Sequence, residues 1–218
     1  MRRAHGANGG GGGTGTRARI LCAAERLLVR DPDSSLAEVA AAAGVARRTV
    51  YVHFTGRDAL VEGLVEEAAR AVEHALAAAD ASAPDDDPAT ALGRFVRTLW
   101  PVGDRYGTLI VLARRRGLGP DPVNAVLGPA RSTVTGIIAR GQRAGVFHTG
   151  VPAGVLGAAL EAHLLALLGC ARSGTWEDDG TGAAVAALVV AGVESGTAAK
   201  VAGGARLPAG TRPGRGRR

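Results

Sequence analysis

The stretch SSLAEVAAAAGVARRTVYVHF, from Ser34 to Phe54, limits the possible folds more than any other part of this chain. Ser35 suits the position before a helix, and Glu38 three residues later completes a capping box. Leu36, Val39, Ala40 and Ala43 share the inner side of the short helix that follows. Gly44 then permits a tight turn that a side chain would strain. Val45 fills the junction, and a second helix starts at about Ala46. Two short helices joined by a turn of three or four residues containing glycine form a helix-turn-helix.

The remaining sequence is also helical. Ile20, Leu21, Ala24, Leu27 and Leu28 fall at helical spacing, as do Leu60, Val61, Leu64, Val65, Val72 and Leu76. Leu92, Phe95, Val96, Leu99 and Trp100 repeat the pattern, followed by Val123, Val126, Leu127, Val134, Ile137 and Ile138. Breakers separate these segments at 30–35, 83–88, 100–105, 117–122 and 148–154. No run of alternating β-branched residues competes with them. The expected fold is all-α with about nine helices. An N-terminal helix-turn-helix domain spans 16–57 and a second helical domain spans 58–198. A Gly-rich arm (1–15) and a basic tail (199–218) are expected to be disordered, being too poor in apolar side chains to bury a core.

Charge is divided unevenly along the chain. The net formal charge is +6, yet residues 59–198 hold more acids than bases, so the positive charge sits at the two ends. Such asymmetry points to an anionic partner for the N-terminal part. The basic N-terminus has no apolar stretch behind it, so it does not read as a secretory signal. The longest strongly apolar run, 180–193, is shorter than the ~20 residues that cross a bilayer. Cys22 and Cys170 lie far apart without a CxxC partner and read as packing residues. These features point to a cytoplasmic location and no membrane association.

On a helix from 46 to 54, Val50, His53 and Phe54 gather with Ala46 on one side. Arg48, Tyr51 and Val52 point the other way, flanked by Arg47 and Thr49. A major groove admits one helix, and an arginine fork matches guanine O6 and N7 together. Arg47 and Arg48 therefore suit base edges. Thr49 and Tyr51 suit phosphate oxygens, and Val52 offers an apolar contact such as a thymine methyl. Arg57, near the start of the next helix, can grip a phosphate. His53 combines packing with a phosphate contact. Arg17 and Ser35, at the starts of the first and second helices, complete the DNA-facing set.

Two late segments, 155–171 and 182–193, are apolar almost all round, so more than one side must be covered. A four-helix interface, two helices from each of two copies, satisfies this, with Leu156, Leu160, Leu164, Leu167, Val185, Leu188 and Val189 as contact residues. A buried hairpin within a monomer is the alternative. His163 and Cys170 share a face of the first of these helices. A histidine bonded to a neighbour explains them better than a metal pair, and no metal or cofactor is expected.

The span 16–60 resembles the DNA-binding domain of TetR-type transcriptional repressors. RARIL…AAERLL matches the first helix, SSLAEVAAAAGV the second, ARRTVYVHF the third and TGRDAL the opening of a long fourth. Ala40, Gly44, Val45, Tyr51, His53, Phe54 and Arg57 fall where that family carries such residues. RGQRAGVFHTGVPAG (140–154) is similar to the family's Gly-x-x-x-Gly-x-Phe turn before its dimerisation helices. Ala46 departs from the usual Ser or Thr cap, and Ala37 and Val52 are less polar than usual. The resemblance implies a homodimeric repressor on a palindromic double-stranded DNA operator, released by a small-molecule effector. The implied pocket residues are Phe95, Leu99, Trp100, Tyr106, Ile110 and His163, which suit an apolar or aromatic effector. Two alternatives stand beside it: an α-helical enzyme or small-molecule binder with an incidental helix-turn-helix, and an architectural DNA binder acting through the basic tail. Gly-x-Ser-x-Gly, His-Glu-x-x-His and a phosphate loop with its lysine are all absent from the sequence, which speaks against an enzyme.

Overall fold

The computed structural model describes residues 11–82, 87–115 and 120–204. Nine helices occupy them: α1 Gly11–Arg30, α2 Leu36–Ala43, α3 Arg47–His53, α4 Arg57–Ser82, α5 Pro88–Arg115, α6 Pro120–Arg143, α7 Ala153–Arg172, α8 Thr181–Val190 and α9 Ser195–Ala202. The chain is all-α, with helix-turn-helix elements at the front and a helical bundle behind. The described residues form two compact units, one from 11–67 with 108–115 and 120–122, the other from 68–82, 87–107 and 123–204.

The number of helices matches the sequence reading through two offsetting differences. The breaker at 100–105 does not break: α5 continues through Pro101. A proline inside a helix removes one hydrogen bond and crowds the preceding turn. Tertiary packing offsets that here, because Trp100 and Tyr106 on either side are buried and Gly103 lies against Leu168. The extra helix is α9, which runs across residue 199, where a disordered tail was expected to begin. The Glu194 carboxylate accepts from the Gly196 and Thr197 amides at 2.9 Å each, and Ala198, Val201 and Ala202 are buried. Helix α1 likewise begins at Gly11, within the expected arm. Residues 1–10 of the arm and 205–218 of the tail lie outside the described residues.

In the first unit α2 packs on α1 and α3. Ile20, Leu28, Val39, Val50, Leu60, Val61 and Leu64 are fully buried there. The second unit has its own core, built from Leu92, Phe95, Ile138, Phe147, Leu160 and Leu188 among others. Helix α7 is 20 residues long and apolar enough to cross a bilayer by length and composition, a feature that the 180–193 run understates. Yet this helix carries Glu161, whose carboxylate receives Arg131 of α6 at 2.5 and 2.8 Å. Four of its residues, Leu156, Gly157, Leu160 and Leu168, are buried in the chain's own core.

Candidate nucleic-acid interface

The turn between α2 and α3 is built as its sequence requires. Ser35 caps α2 by accepting from the Glu38 amide at 3.3 Å, and Glu38 accepts from the Ser35 amide at 2.7 Å. At the far end Gly44 adopts φ 64°, and its amide donates to Ala41 while the Val45 amide donates to Ala40. That pair of bonds is a Schellman motif, and its left-handed position favours glycine. The two Ser35 bonds hold the Glu38 carboxyl below its ordinary value, the backbone bond most strongly. A carboxyl lowered in the folded state stabilises above its unfolded value, and that contribution is lost as pH falls through the folded one. Glu38→Gln keeps an acceptor and removes the titration. We expect thermal melts of the variant to lack this part of the acid-side decline.

Helix α3 is fastened by Val50 and Phe54, which are 0% and 2% exposed. Phe54 lies over Gly63 of α4, where a Cβ would stand 2.9 Å from the ring and 3.3 Å from Leu21. The Arg17 guanidinium covers the same ring at 5.3 Å and pairs with Glu66 at 3.2 Å. The helix starts without a side-chain cap, because Ala46 supplies no acceptor. Ala46→Ser should add one, raising stability by about 1 kcal/mol in urea unfolding.

Away from this anchor, Arg47, Arg48, Tyr51 and Val52 are exposed. Val52 is the most exposed large hydrophobic residue described, at 80%. Arg47 reaches the Tyr51 hydroxyl at 3.4 Å and lies 5.7 Å from its ring centre. Arg48 makes no hydrogen bond or ion pair among the described residues. Thr49 and His53 are half-buried at the margin.

Three residues of the DNA-facing set have structural partners. Both terminal nitrogens of Arg57 donate to carbonyls of the α1–α2 loop, those of Ser34 and Pro32, and so tie the start of α4 to that loop. Arg17 is engaged with Glu66 and Phe54, and the Ser35 hydroxyl with Glu38. The structure thus presents one polar, cationic helix face, held rigidly from behind and centred on α3.

Residues 20–64 match the family model for bacterial regulatory proteins of the tetR family. That segment is a tetR-family domain. The fold of the whole chain resembles several solved structures. RolR in complex with its ligand resorcinol shares 23% identity and a TM-score of 0.54, over 90% of this chain and 97% of RolR. A tetR-family regulatory protein from Rhodococcus RHA1 gives 22% and 0.65, over 82% and 98%. The fatty acid degradation regulator FadR from Bacillus halodurans gives 15% and 0.66, over 85% and 97%. At these identities the likeness is one of fold. No curated protein matches the chain in sequence. The tetR-family segment contains α2, α3 and the outward cationic face, which marks it as a DNA-binding regulatory domain.

Behind that domain, the Gly-x-x-x-Gly-x-Phe segment forms the exit of α6. Gly145 takes φ 70°, and the Val146 and Phe147 amides both donate to the Gly141 carbonyl. Phe147 is thereby folded over Gly141 into the core. Gln142 donates to the carbonyls of His148 and Val151 at 2.9 Å each, leading the chain towards α7.

The six residues named for an effector pocket divide. Phe95 and Trp100 are core residues, and Leu99 packs against that core. Trp100 also donates to the Asp178 carbonyl at 3.0 Å and meets Trp176 edge-on at 5.8 Å, which fixes the loop before α8. Tyr106 is buried, with Arg105 4.9 Å from its ring. The side chain of Ile110 lies outside the described residues. His163 is half-buried, and its Nε2 is fully buried with no hydrogen-bond partner among the described residues. No group of three potential metal ligands occurs among the described residues.

The residues named for a dimer interface divide by burial. Leu156, Leu160 and Leu188 face the chain's own core, while Leu164, Leu167 and Val185 border it. Val189 is exposed, with Val155 and Val190. The outer face of α7 carries Val155, Ala158, Ala159, Ala162, Ala166 and Gly169, so the apolar surface free for a partner is made of small side chains.

Proposed function

We propose that the chain is a homodimeric repressor that grips a palindromic operator through the major groove and lets go when a small apolar or aromatic effector binds. The face of α3 carries this reading: Arg47, Arg48, Tyr51 and Val52 stand outward, and Val50 and Phe54 hold the helix from behind. The exposed small-residue face of α7, with Val189 and Val190 of α8, suits close approach of a second copy. A twofold pair would set two recognition helices about 34–36 Å apart, one turn of DNA. A ligand that prefers the incompetent spacing shifts the equilibrium by its differential affinity alone.

Two observations support an aromatic effector with a hydroxyl. RolR was solved with resorcinol, a small dihydroxybenzene. The His163 Nε2, without a hydrogen-bond partner among the described residues, supplies a buried polar atom, and a ligand hydroxyl there would remove the penalty of leaving it unbonded. Selection of bound sequences from a random DNA pool tests the DNA half. A palindrome bound by one dimer is the expected result, and sequence-independent binding overturns it. Release from that site by phenolic compounds, weakened in His163→Leu, tests the effector half.

A further inference from the structure

Exposure sorts the outward residues of α3 into two pairs with different tasks. At about 100° per residue, the buried Val50 and Phe54 define the underside of the helix. Val52 lies diametrically opposite, and Arg48, one turn earlier, lies beside it on the same ridge. Arg47 and Tyr51 form the neighbouring ridge, turned towards one flank. These two are tied together by the hydroxyl contact and the guanidinium over the ring, which fits a fixed phosphate rail. The crest holds a guanidinium without a partner among the described residues, followed by a bare isopropyl group that is 80% exposed.

We propose that this crest reads a 5-methylpyrimidine: Arg48 takes a guanine, and Val52 takes the C5-methyl of a thymine in the same half-site. The inference rests on the repressor reading above and goes further, by naming the chemical group that the operator must present. An aliphatic side chain can neither donate nor accept. The thymine methyl is the apolar group that a base pair shows in the major groove. Four residues of helix rise about 6 Å, so the methyl lies within about two base-pair steps of the guanine. Elsewhere on a helix surface such a valine would be unremarkable. Here it occupies the most protruding position of the one face that meets DNA.

Removing a single methyl isolates the effect. In the selected palindrome, each thymine is replaced in turn by deoxyuridine, which keeps every hydrogen-bonding group. At one symmetric position the wild-type protein should lose about fourfold in affinity per half-site, and about fifteenfold when both are changed. Val52→Ala, which folds normally because the side chain is exposed, should bind thymine and deoxyuridine sites alike. Replacing that A·T pair by G·C with 5-methylcytosine should restore part of what unmethylated cytosine loses. If no thymine shows the effect, or if Val52→Ala keeps it in full, methyl reading is wrong even though the palindrome stands. If no palindrome emerges from selection, the repressor reading itself has failed.

Discussion

Arg48→Ala is expected to abolish sequence preference while leaving the protein folded. A bidentate arginine–guanine pair contributes about 1–3 kcal/mol of discrimination, so its loss from both half-sites reduces affinity for the operator by about 30-fold to 10⁴-fold. Affinity for unrelated DNA should fall far less, because one phosphate-range charge per protomer is a small share of non-specific binding. Arg47→Ala should behave differently. Its guanidinium sits against Tyr51 on the flank, so its removal weakens all sequences alike and lowers the salt slope by about one per half-site. Titrations on the selected site and on a scrambled one, at two salt concentrations, separate the two outcomes. Neither change should lower the melting temperature, since both side chains are exposed. Equal loss on both DNAs for Arg48→Ala would show that it contacts backbone, and the crest would then lose its guanine reader.

The front of the chain was legible because its signals are local. A Ser35–Glu38 box, Gly44, and apolar residues spaced for one face each act within a turn or two of helix, and the structure realises all three. The continuity of α5 was hidden, because Pro101 is a breaker until Trp100, Gly103 and Tyr106 find tertiary partners. Helix α9 was hidden behind composition. Its cap at Glu194 is visible in the sequence once a helix is looked for, but the basic residues that follow mask it. The interface residues illustrate a different limit. A helix apolar on all sides has no preferred direction, so periodicity cannot say which face turns inward. In α7, Leu156 and Leu160 fill the chain's own core and alanines are left outside, whereas in α8 Ala183, Ala184 and Ala187 are buried and Val189 and Val190 are exposed. For Arg17 and Arg57, residue type permits either a phosphate or a protein partner. Glu66, more than forty residues away from Arg17, and the carbonyls of Pro32 and Ser34 are partners that only the fold reveals.

Gly141→Ala should destabilise the second unit, although alanine is the better helix former. In an exposed helix interior this exchange gains about 1 kcal/mol. At Gly141 the new Cβ would overlap the Phe147 ring, which is 3% exposed. The ring has little freedom to withdraw. The Val146 and Phe147 amides are bonded to the Gly141 carbonyl at 2.9 and 3.2 Å, and the next amide, of His148, is bonded to Ala191 at 3.0 Å. Overpacking of a tight core costs about 1–3 kcal/mol and more when the backbone must shift, so a net loss of about 2 kcal/mol is expected. That corresponds to a fall of about 4–8 °C in melting temperature for a chain of this size. Phe147→Ala alone should cost about 3–5 kcal/mol through the cavity it leaves. The decisive measurement is the double variant. With the ring gone, the methyl at 141 has room, and its helix propensity is felt without the clash. Gly141→Ala should then be neutral or stabilising, reversing its sign between the two backgrounds. Additive losses would mean that the glycine is required for some reason other than the ring lying over it.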